Sequence, residues 1–242
     1  MLTPGDALPV AQLALGILDF RDDASPDRQS ASVAWLRNAA DQGSAEAAYM
    51  VGLAHGVGRG VEKNDAASDR WLLVAAGRGH VKSRAIMVAG YLEKADYAKA
   101  LAMLGPAAEA GDPDAQRDMA AMCTNGAGVK KDDAEAVKWA TRSAEQGDSE
   151  AMRLAGFVPC CAQPRMIPED LAESATWCLL AASAGSERGA GVFAELGAFL
   201  SPAQMAQARS RATAWIAAHP GAGIKTLVVA EPVATDATPA PP

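Results

Sequence analysis

Helical runs that end in glycine recur along the chain at intervals of 32 to 38 residues. Eight residues before each glycine is a large apolar residue, and three and four residues before it is a pair of small residues. The glycines are Gly43, Gly79, Gly111, Gly147 and Gly185, and the large residues are Trp35, Trp71, Met103, Trp139 and Trp177. A period of this length with fixed large and small positions predicts a solenoid of stacked helical hairpins.

Each position in the period has a physical role. The large apolar residue is expected to fill the gap between helices, and the small pair allows two backbones to approach closely. Glycine permits the left-handed backbone conformation that ends a helix. The residue after the glycine is a good N-cap for the next helix in four of the five cases, namely Ser44, Asp112, Asp148 and Ser186, and His80 takes this place in the fifth.

A second motif lies between the two helices of some hairpins. The stretch GRGVEKNDA at 58–66 matches GAGVKKDDA at 126–134, and the valine of each precedes a tryptophan by ten residues. Two glycines allow a sharp turn, valine packs on the core, and the acidic residues begin the next helix with a favourable dipole interaction. The unit between Gly79 and Gly111 lacks this motif and is shorter.

These motifs resemble the Sel-1-like repeats, a family related to the tetratricopeptide repeats. The features that carry the resemblance are GxGVxKxDA at 58–66 and 126–134 and WxxxAAxxG at 71–79. The resemblance covers roughly residues 30–218. It implies an all-α fold, a right-handed α/α superhelical solenoid of about six helix pairs, and a role as an adaptor or scaffold that binds another protein.

We therefore divide the chain into a solenoid, residues 1–219, and a disordered Pro/Ala-rich tail, residues 220–242. The first helix pair is predicted over about residues 6–42, with Pro26 opening its second helix. Within the tail, the apolar stretch IKTLVVA at 224–230 has two interpretations. It is a sticky part of a loose tail, or it is a segment that docks as a strand or is recognised by a partner.

Composition and charge exclude some classes of fold and function. The chain of 242 residues is half hydrophobic with few aromatics, which suits closely packed helices. Its net charge of −7 argues against a nucleic-acid binder, because that function requires a basic surface. We expect no membrane span, since no window has about 18 uninterrupted apolar residues. No secretory signal is visible before Arg21, so we expect a cytoplasmic protein, or a periplasmic or secreted one if the start site is misassigned.

Catalytic motifs are absent from the sequence. It contains no GxSxG, HExxH or P-loop motif, and GVGRGV at 56–61 belongs to the repeat. The three histidines, His55, His80 and His219, lie at predicted helix ends, where each has a structural explanation. We predict that the protein is not an enzyme and has no catalytic residue, no metal site and no cofactor.

The cysteines leave an alternative open. Stacking of repeats would bring Cys123 close to the loop predicted around Cys160 and Cys161, where a metal or redox site is conceivable. There is no CxxC spacing and no neighbouring histidine, so buried structural thiols, including Cys178, are the simpler interpretation. A third hypothesis is that the chain is a regulatory repeat subunit of an enzyme encoded nearby.

The resemblance also predicts a partner-binding groove, because it places the first helix of each pair on the concave face. The predicted groove residues are Glu46, Tyr49, Arg84, Met87, Tyr91, Asp114, Arg117, Glu150, Arg153 and Arg188. We expect them to bind a protein or peptide partner, with arginine on carboxylates and tyrosine on apolar side chains. The alternative is that Asp114–Arg117 and Glu150–Arg153 satisfy each other as i,i+3 pairs. The oligomeric state is left open.

Overall fold

The computed structural model describes residues 13–14, 16–17, 24–162 and 168–228. Over these residues the chain forms eleven α-helices, one 3-10 turn and no strand. The helices are α1 Pro26–Asp41, α2 Ala45–Val57, α3 Asp65–Gly77, α4 Val81–Glu93, α5 Tyr97–Glu109, α6 Pro113–Asn125, α7 Asp133–Ala144, α8 Ser149–Ala162, α9 Pro168–Ser183, α10 Glu187–Gly197 and α11 Pro202–Ala218. The predicted all-α fold is confirmed for the described part of the chain.

The helices form two compact units, Met1–Met103 and Leu104–Pro242. In the first unit, helices α1 to α4 pack in sequence order, each on the next. The core of this unit contains Leu36, Val51 and several alanines, all fully buried. Alanine at these positions lets the helices approach closely, as the small residues of the period predicted.

The second unit contains α6 to α11, and here too α6 packs on α7, α7 on α8, α8 on α9 and α9 on α10, while α11 packs on α9. Contacts also join α6 to α8 and α8 to α10, so the first helices of successive hairpins lie side by side. Its largest fully buried side chains include Met152 and Leu180. Residues on neighbouring first helices are therefore close enough to form one surface.

The five hinge glycines have the predicted left-handed conformation, with φ between 84° and 102°. In the second hinge, Gly79 N–H donates to Ala76 O at 2.9 Å and His80 N–H donates to Ala75 O at 3.0 Å. The same two bonds recur at the other four hinges. This is the Schellman motif, in which carbonyl groups at the helix end that lack a partner within the helix accept hydrogen bonds from the N–H groups of the residues that follow the helix. The small pair therefore supplies the carbonyl acceptors of the hinge as well as close packing.

A sixth hinge of the same kind joins α4 to α5, and it has alanine in place of glycine. Ala95 has φ 54°, Ala95 N–H donates to Leu92 O, and Asp96 N–H donates to Tyr91 O at 2.8 Å. A left-handed alanine carries a steric conflict between its Cβ and the backbone, which glycine avoids. This position therefore contains backbone strain that the other hinges lack.

We expect Ala95→Gly to raise the free energy of unfolding by up to about 1 kcal/mol, measured by urea denaturation. Relief of the left-handed strain exceeds the extra entropy that glycine gives the unfolded chain. Gly79→Ala is the matched control and should lower stability by about 1 kcal/mol, because no atom lies within 4 Å of its added Cβ and only the backbone is strained. An Ala95→Gly protein no more stable than the wild type would contradict this account.

The tryptophans fill gaps between helices to different extents. Trp139 and Trp177 are buried, whereas Trp35 and Trp71 are partly buried. Trp71 packs against the core of the first unit, and the guanidinium of Arg142 lies 4.7 Å from the centre of the Trp139 ring. Trp is too large to be enclosed completely at every position, so two of these four tryptophans remain partly exposed.

The two ends of the chain are described in part. Pro26 begins α1 as predicted, and most of the first predicted helix lies outside the described residues. Residues 220–228, which we expected to belong to a disordered tail, follow α11 as a 3-10 turn at Pro220–Ala222 and an irregular stretch in which Ile224 is buried. Apolar burial of Ile224 holds this stretch against the helices. Residues 229–242 lie outside the described part.

Candidate partner-binding surface

The predicted groove residues lie on the first helices of successive hairpins. Counting from the N-cap of each first helix, Glu46, Asp114 and Glu150 are at the second position. Three residues later come Tyr49, Arg117 and Arg153. Residues separated by three positions in a helix share a face. The same two positions of the repeat therefore supply most of the candidate surface.

In the first unit, His80 joins the Glu46 and Tyr49 side chains. His80 caps α4, because its Nδ1 accepts the N–H of Ser83 at 3.2 Å. The ring proton is then on Nε2, which lies 3.0 Å from Glu46 Oε2 and donates to it. The Tyr49 ring stacks on the His80 ring with centroids 4.4 Å apart. The cluster thus links α2 to the start of α4.

This cluster contains the residue types of a serine nucleophile site, but its serine is not accessible to a substrate. Ser83 Oγ lies 2.9 Å from His80 Nδ1, and His80 Nε2 lies next to Glu46. Ser83 is fully buried, however, so its hydroxyl cannot reach a substrate. The arrangement is a helix cap that is tied to the neighbouring helix.

In the second unit, Arg117 is surrounded by three carboxylates. Its Nη1 lies 2.9 Å from Asp114 Oδ1 and 2.5 Å from Asp148 Oδ2, and its Nη2 lies 3.6 Å from Asp118 Oδ1. Asp148 also accepts the N–H groups of Glu150 and Ala151 at the start of α8. Arg117 therefore ties α6 to the cap of the next first helix, as His80 ties α4 to α2.

The electrostatics of this cluster follow from its partial burial. Burial alone lowers the pKa of Arg117, but the neighbouring carboxylates of Asp148, Asp118 and Asp114 outweigh burial and raise that pKa. Burial raises the pKa of Asp118, and the charges of Asp114 and Asp148 raise it further against the opposing effect of Arg117. Three carboxylates around one guanidinium leave an excess of negative charge at this surface.

The Glu150–Arg153 pair is also present. Arg153 Nε and Nη2 donate to Glu150 Oε1 at 2.9 and 2.6 Å, and the guanidinium lies 5.7 Å from the centre of the Phe157 ring. The arginine is therefore held between its own carboxylate and an aromatic ring. Both i,i+3 pairs proposed as the alternative to partner contacts exist in the structure.

The other predicted residues differ in accessibility. Arg84 and Met87 are buried, so they contribute little surface to a partner, contrary to our expectation. Tyr91 is partly buried with Lys99 Nζ 5.6 Å above its ring, and Arg188 is exposed in the first turn of α10. The burial of Arg84 has a sequence signal, because the equivalent positions of three other hairpins hold Ala48, Gln116 and Met152, which are also buried, although Ala190 at this position of α10 is exposed.

Three residues of the clusters were absent from the predicted surface. His80 and Asp148 were recognised only as helix caps, and Asp118 was not singled out. Their signal is weak, since Asp148 lies 31 residues from Arg117 and His80 lies 34 residues from Glu46. Asp148 and His80 reach these partners through contacts between successive hairpins, which the sequence does not show.

The histidines and cysteines have structural surroundings. His55 is buried, and its Nε2 accepts from Arg37 Nη2 at 2.8 Å because guanidinium only donates. The His219 ring stacks on Trp215 with centroids 4.2 Å apart. Cys123 is buried, and burial together with Glu135 and Asp132 raises its thiol pKa, which leaves less of the reactive thiolate.

The cysteine pair lies in a helix and not in the predicted loop. Cys160 and Cys161 belong to the last turn of α8, which ends at Ala162; their side chains lie outside the described part of the structure. Among the residues that are described, no group of three or more His, Cys, Asp or Glu side chains is placed to hold a metal ion. The same residues include no helix that is long and apolar enough to cross a bilayer.

The fold and the repeated hinge define an α-helical repeat protein. Sel1 repeats match residues 9–44, 45–80, 89–112, 113–148 and 149–186, and the chain belongs to the Sel1 repeat family. Three of these matches begin directly after the hinge caps Ser44, Asp112 and Asp148, so the repeat of the family coincides with the structural repeat. Sel1 repeat proteins are generally protein-interaction scaffolds and are typically non-catalytic.

Solved structures with the same fold support this assignment. The chain is similar to c5321, a protective antigen of uropathogenic Escherichia coli with an SLR fold, at 23% identity and a TM-score of 0.69, over 91% of this chain and 50% of that chain. It is similar to a Sel1 repeat protein from Oxalobacter formigenes at 28% identity and a TM-score of 0.60, over 87% of this chain and 84% of that chain. The chain thus spans half the length of c5321. No curated protein matches it. The predicted solenoid fold and family are confirmed.

Proposed function

We propose that the protein is a non-enzymatic scaffold or adaptor that binds a peptide or loop of a partner protein through its first-helix surface. Membership of the Sel1 repeat family supports the general role. The clusters on α6 and α8 of the second unit support the location, because they place a carboxylate and an arginine at the same two positions of successive hairpins. In the first unit, Glu46 of α2 has the first of these positions.

One observation carries the proposal: in each cluster the carboxylate at the second position of the first helix is more exposed than the side chain that donates to it. The side chains of Glu46 and His80 are 49% and 12% exposed. Those of Asp114 and Arg117 are 47% and 28% exposed, and those of Glu150 and Arg153 are 40% and 15% exposed. A partner therefore meets carboxylates first, and not the arginine side chains that the sequence led us to expect.

This order of exposure specifies the chemistry of the partner. Asp114 and Glu150 favour a segment with basic side chains at matching positions, while the exposed Arg188 at the equivalent position of α10 favours an acidic one. In the first unit, Glu46 and the exposed Lys82 repeat this alternation. Because the internal pairs already fix the carboxylates, the entropy cost of ordering falls mainly on the partner.

The test is crosslinking and affinity capture with the full chain, followed by mass spectrometry, and then quantitative binding of the recovered partner. Asp114→Asn with Glu150→Gln keeps the shape and one acceptor oxygen in each side chain while it removes two negative charges. We expect this double variant to bind the partner about two- to thirtyfold more weakly, and the loss to shrink at high salt, since each exposed pair contributes about 0.2–1 kcal/mol.

The matched control is Glu109→Gln with Glu173→Gln, which removes two exposed carboxylates from second helices. This control changes the net charge equally and should bind the partner as the wild type does. Equal binding by the Asp114/Glu150 variant, or equal loss in both variants, would contradict a specific site on the first helices.

A further inference from the structure

The chain after α11 returns to the helices of the second unit and lies against two hinges. Ala222 approaches Gly147, so that a Cβ built on Gly147 would lie 3.2 Å from Ala222 Cα. Val228 N–H donates to Ser183 Oγ at 3.0 Å, near the end of α9. Residues 222–228 therefore extend from the hinge before α8 to the hinge before α10.

This segment rests on an apolar surface of the second unit. Ile224 is buried, and Leu227 and Val228 line a cavity of about 20 Å³ together with Leu179, Phe193 and Arg209. The intervening Lys225 and Thr226 are exposed. The segment thus presents an apolar residue, two outward polar residues and two further apolar residues, which is how an extended peptide ligand contacts a surface.

Several features of the segment favour exchange over permanent packing. Residues 224–228 form no regular secondary structure, and Val228 itself is half exposed. Gly221 and Gly223 precede Ile224, and Gly223 has φ 77°, so the connection to α11 is a glycine-containing turn. The cavity beneath Leu227 and Val228 shows that this segment does not fill the surface completely.

We propose that the surface formed by Leu179, Ser183 and Phe193 is a binding site for an extended peptide with the pattern of residues 224–228, and that this segment is its intramolecular occupant. A partner peptide with an apolar residue, two polar residues and two apolar residues binds by displacing it. This inference goes beyond the charged first-helix surface, because it involves different side chains and a different partner chemistry.

The covalent connection of the segment to α11 determines how strongly it competes with a separate peptide. A covalently attached segment acts at an effective concentration of the order of millimolar, so a separate peptide binds weakly while the segment is docked. Undocking the segment removes this competitor. The apparent affinity of the site for a separate peptide then increases, because a larger fraction of the molecules has an unoccupied site.

The test uses the full chain and a labelled peptide with residues 221–231, GAGIKTLVVAE, in a fluorescence anisotropy titration. Ile224→Ser removes the buried side chain of the tethered segment, and Thr226→Ser, at an exposed position, is the control. We expect the peptide to bind the Ile224→Ser protein at least tenfold more tightly than the wild type or the control. A peptide with serine in place of isoleucine should not bind.

A second pair of variants tests the same competition without touching the apolar residues. Gly147 and Gly185 have φ of 95° and 93°, but only a Cβ on Gly147 meets Ala222. Gly147→Ala should therefore loosen the segment and bind the peptide like Ile224→Ser, with faster hydrogen exchange over residues 220–228. Gly185→Ala should bind it like the wild type.

The results separate this proposal from the scaffold function. Asp114→Asn with Glu150→Gln should leave binding of the labelled peptide unchanged, because the partners of those carboxylates are Arg117 and Arg153 and not residues of the segment. The proposal is overturned if the peptide binds wild type and Ile224→Ser equally, or if neither Ile224→Ser nor Gly147→Ala binds it more tightly than the wild type.

Discussion

Replacing Gly60 by alanine is expected to lower the free energy of unfolding by roughly 2–5 kcal/mol. Gly60 has φ 65°, and left-handed alanine costs about 1–2 kcal/mol. In addition, a Cβ on Gly60 would overlap the carbonyl oxygen of Gln29 and lie 2.5 Å from its carbonyl carbon and 2.9 Å from Ser30 N. Overpacking of this kind costs about 1–3 kcal/mol more, and the obstacle is the backbone of α1, which has no alternative rotamer.

Gly58→Ala provides the comparison within the same loop. Gly58 has φ 76°, but its added Cβ would lie 3.2 Å from Lys63 Cβ and 3.4 Å from Lys63 N, which is close without overlap. A shift of a few tenths of an ångström in the exposed loop at Lys63 relieves these contacts, so the expected loss is mainly the left-handed cost, about 1–2 kcal/mol. Urea denaturation of both variants measures the difference. Equal losses would show that the loop does not rest on α1 as described.

Gly60 also illustrates what the sequence predicts well. A glycine in a GxG motif indicates a backbone conformation that other residues avoid, and the structure contains that conformation at both loops and at all five predicted hinges. The sequence does not indicate what the loop touches. The contact between Gly60 and Gln29 joins residues 31 positions apart, and it involves backbone atoms that every amino acid shares.

The candidate surface shows a similar division. The repeat placed Glu46, Asp114 and Glu150 on first helices, and their local i,i+3 pairing was foreseen for two of them. Which partner of a pair is exposed depends on what covers it, and Arg117 and Arg153 are covered more than the carboxylates of Asp114 and Glu150. A helical period gives the face of a residue, but it does not give the depth to which a long side chain is covered.

Ala95 and the segment at residues 222–228 show where the repeat pattern itself gives no guidance. The α4–α5 hinge contains no glycine to mark it, although it has the bonds of the other hinges. The segment lies outside the repeats, and its low-complexity surroundings suggested a loose tail. Its apolar residues at 224 and 227–228 were the available signal; Ile224 is buried against the helices, but residues 224–228 do not form the strand that we considered.

The second large effect is expected for Arg117→Met, which should lower the free energy of unfolding by about 2–3 kcal/mol at pH 7. Methionine keeps much of the side-chain volume but removes the cation that Asp114, Asp118 and Asp148 share. Loss of one partner from this partly buried charge cluster is costly because the remaining carboxylates stay partly desolvated and lose the cation that they share. Arg153→Met, which leaves only the half-exposed Glu150 unpaired, should lose about 1 kcal/mol or less.

The pH dependence distinguishes this explanation from simple loss of packing. Burial already raises the folded-state pKa of Asp118 above its ordinary value of 3.8, and removing Arg117 takes away the main opposing effect. A carboxyl group with a raised folded pKa binds its proton more tightly in the folded protein. Its contribution is therefore fully present below pH 3.8 and is lost as the pH rises through the folded value. The penalty of Arg117→Met should thus grow between pH 4 and pH 7.

A double variant completes this prediction. Adding Asp118→Asn to Arg117→Met removes the carboxylate that burial disfavours most, so the double variant should be more stable than Arg117→Met at pH 7 and nearly equal to it at pH 4. The difference, measured by urea denaturation as a double-mutant cycle, gives the coupling between the two residues. The contrary result is a loss of stability in Arg117→Met that does not change with pH and that Asp118→Asn does not reduce. Arg117 would then stabilise the unit by its aliphatic contacts, and the three carboxylates would not destabilise it when the arginine is removed.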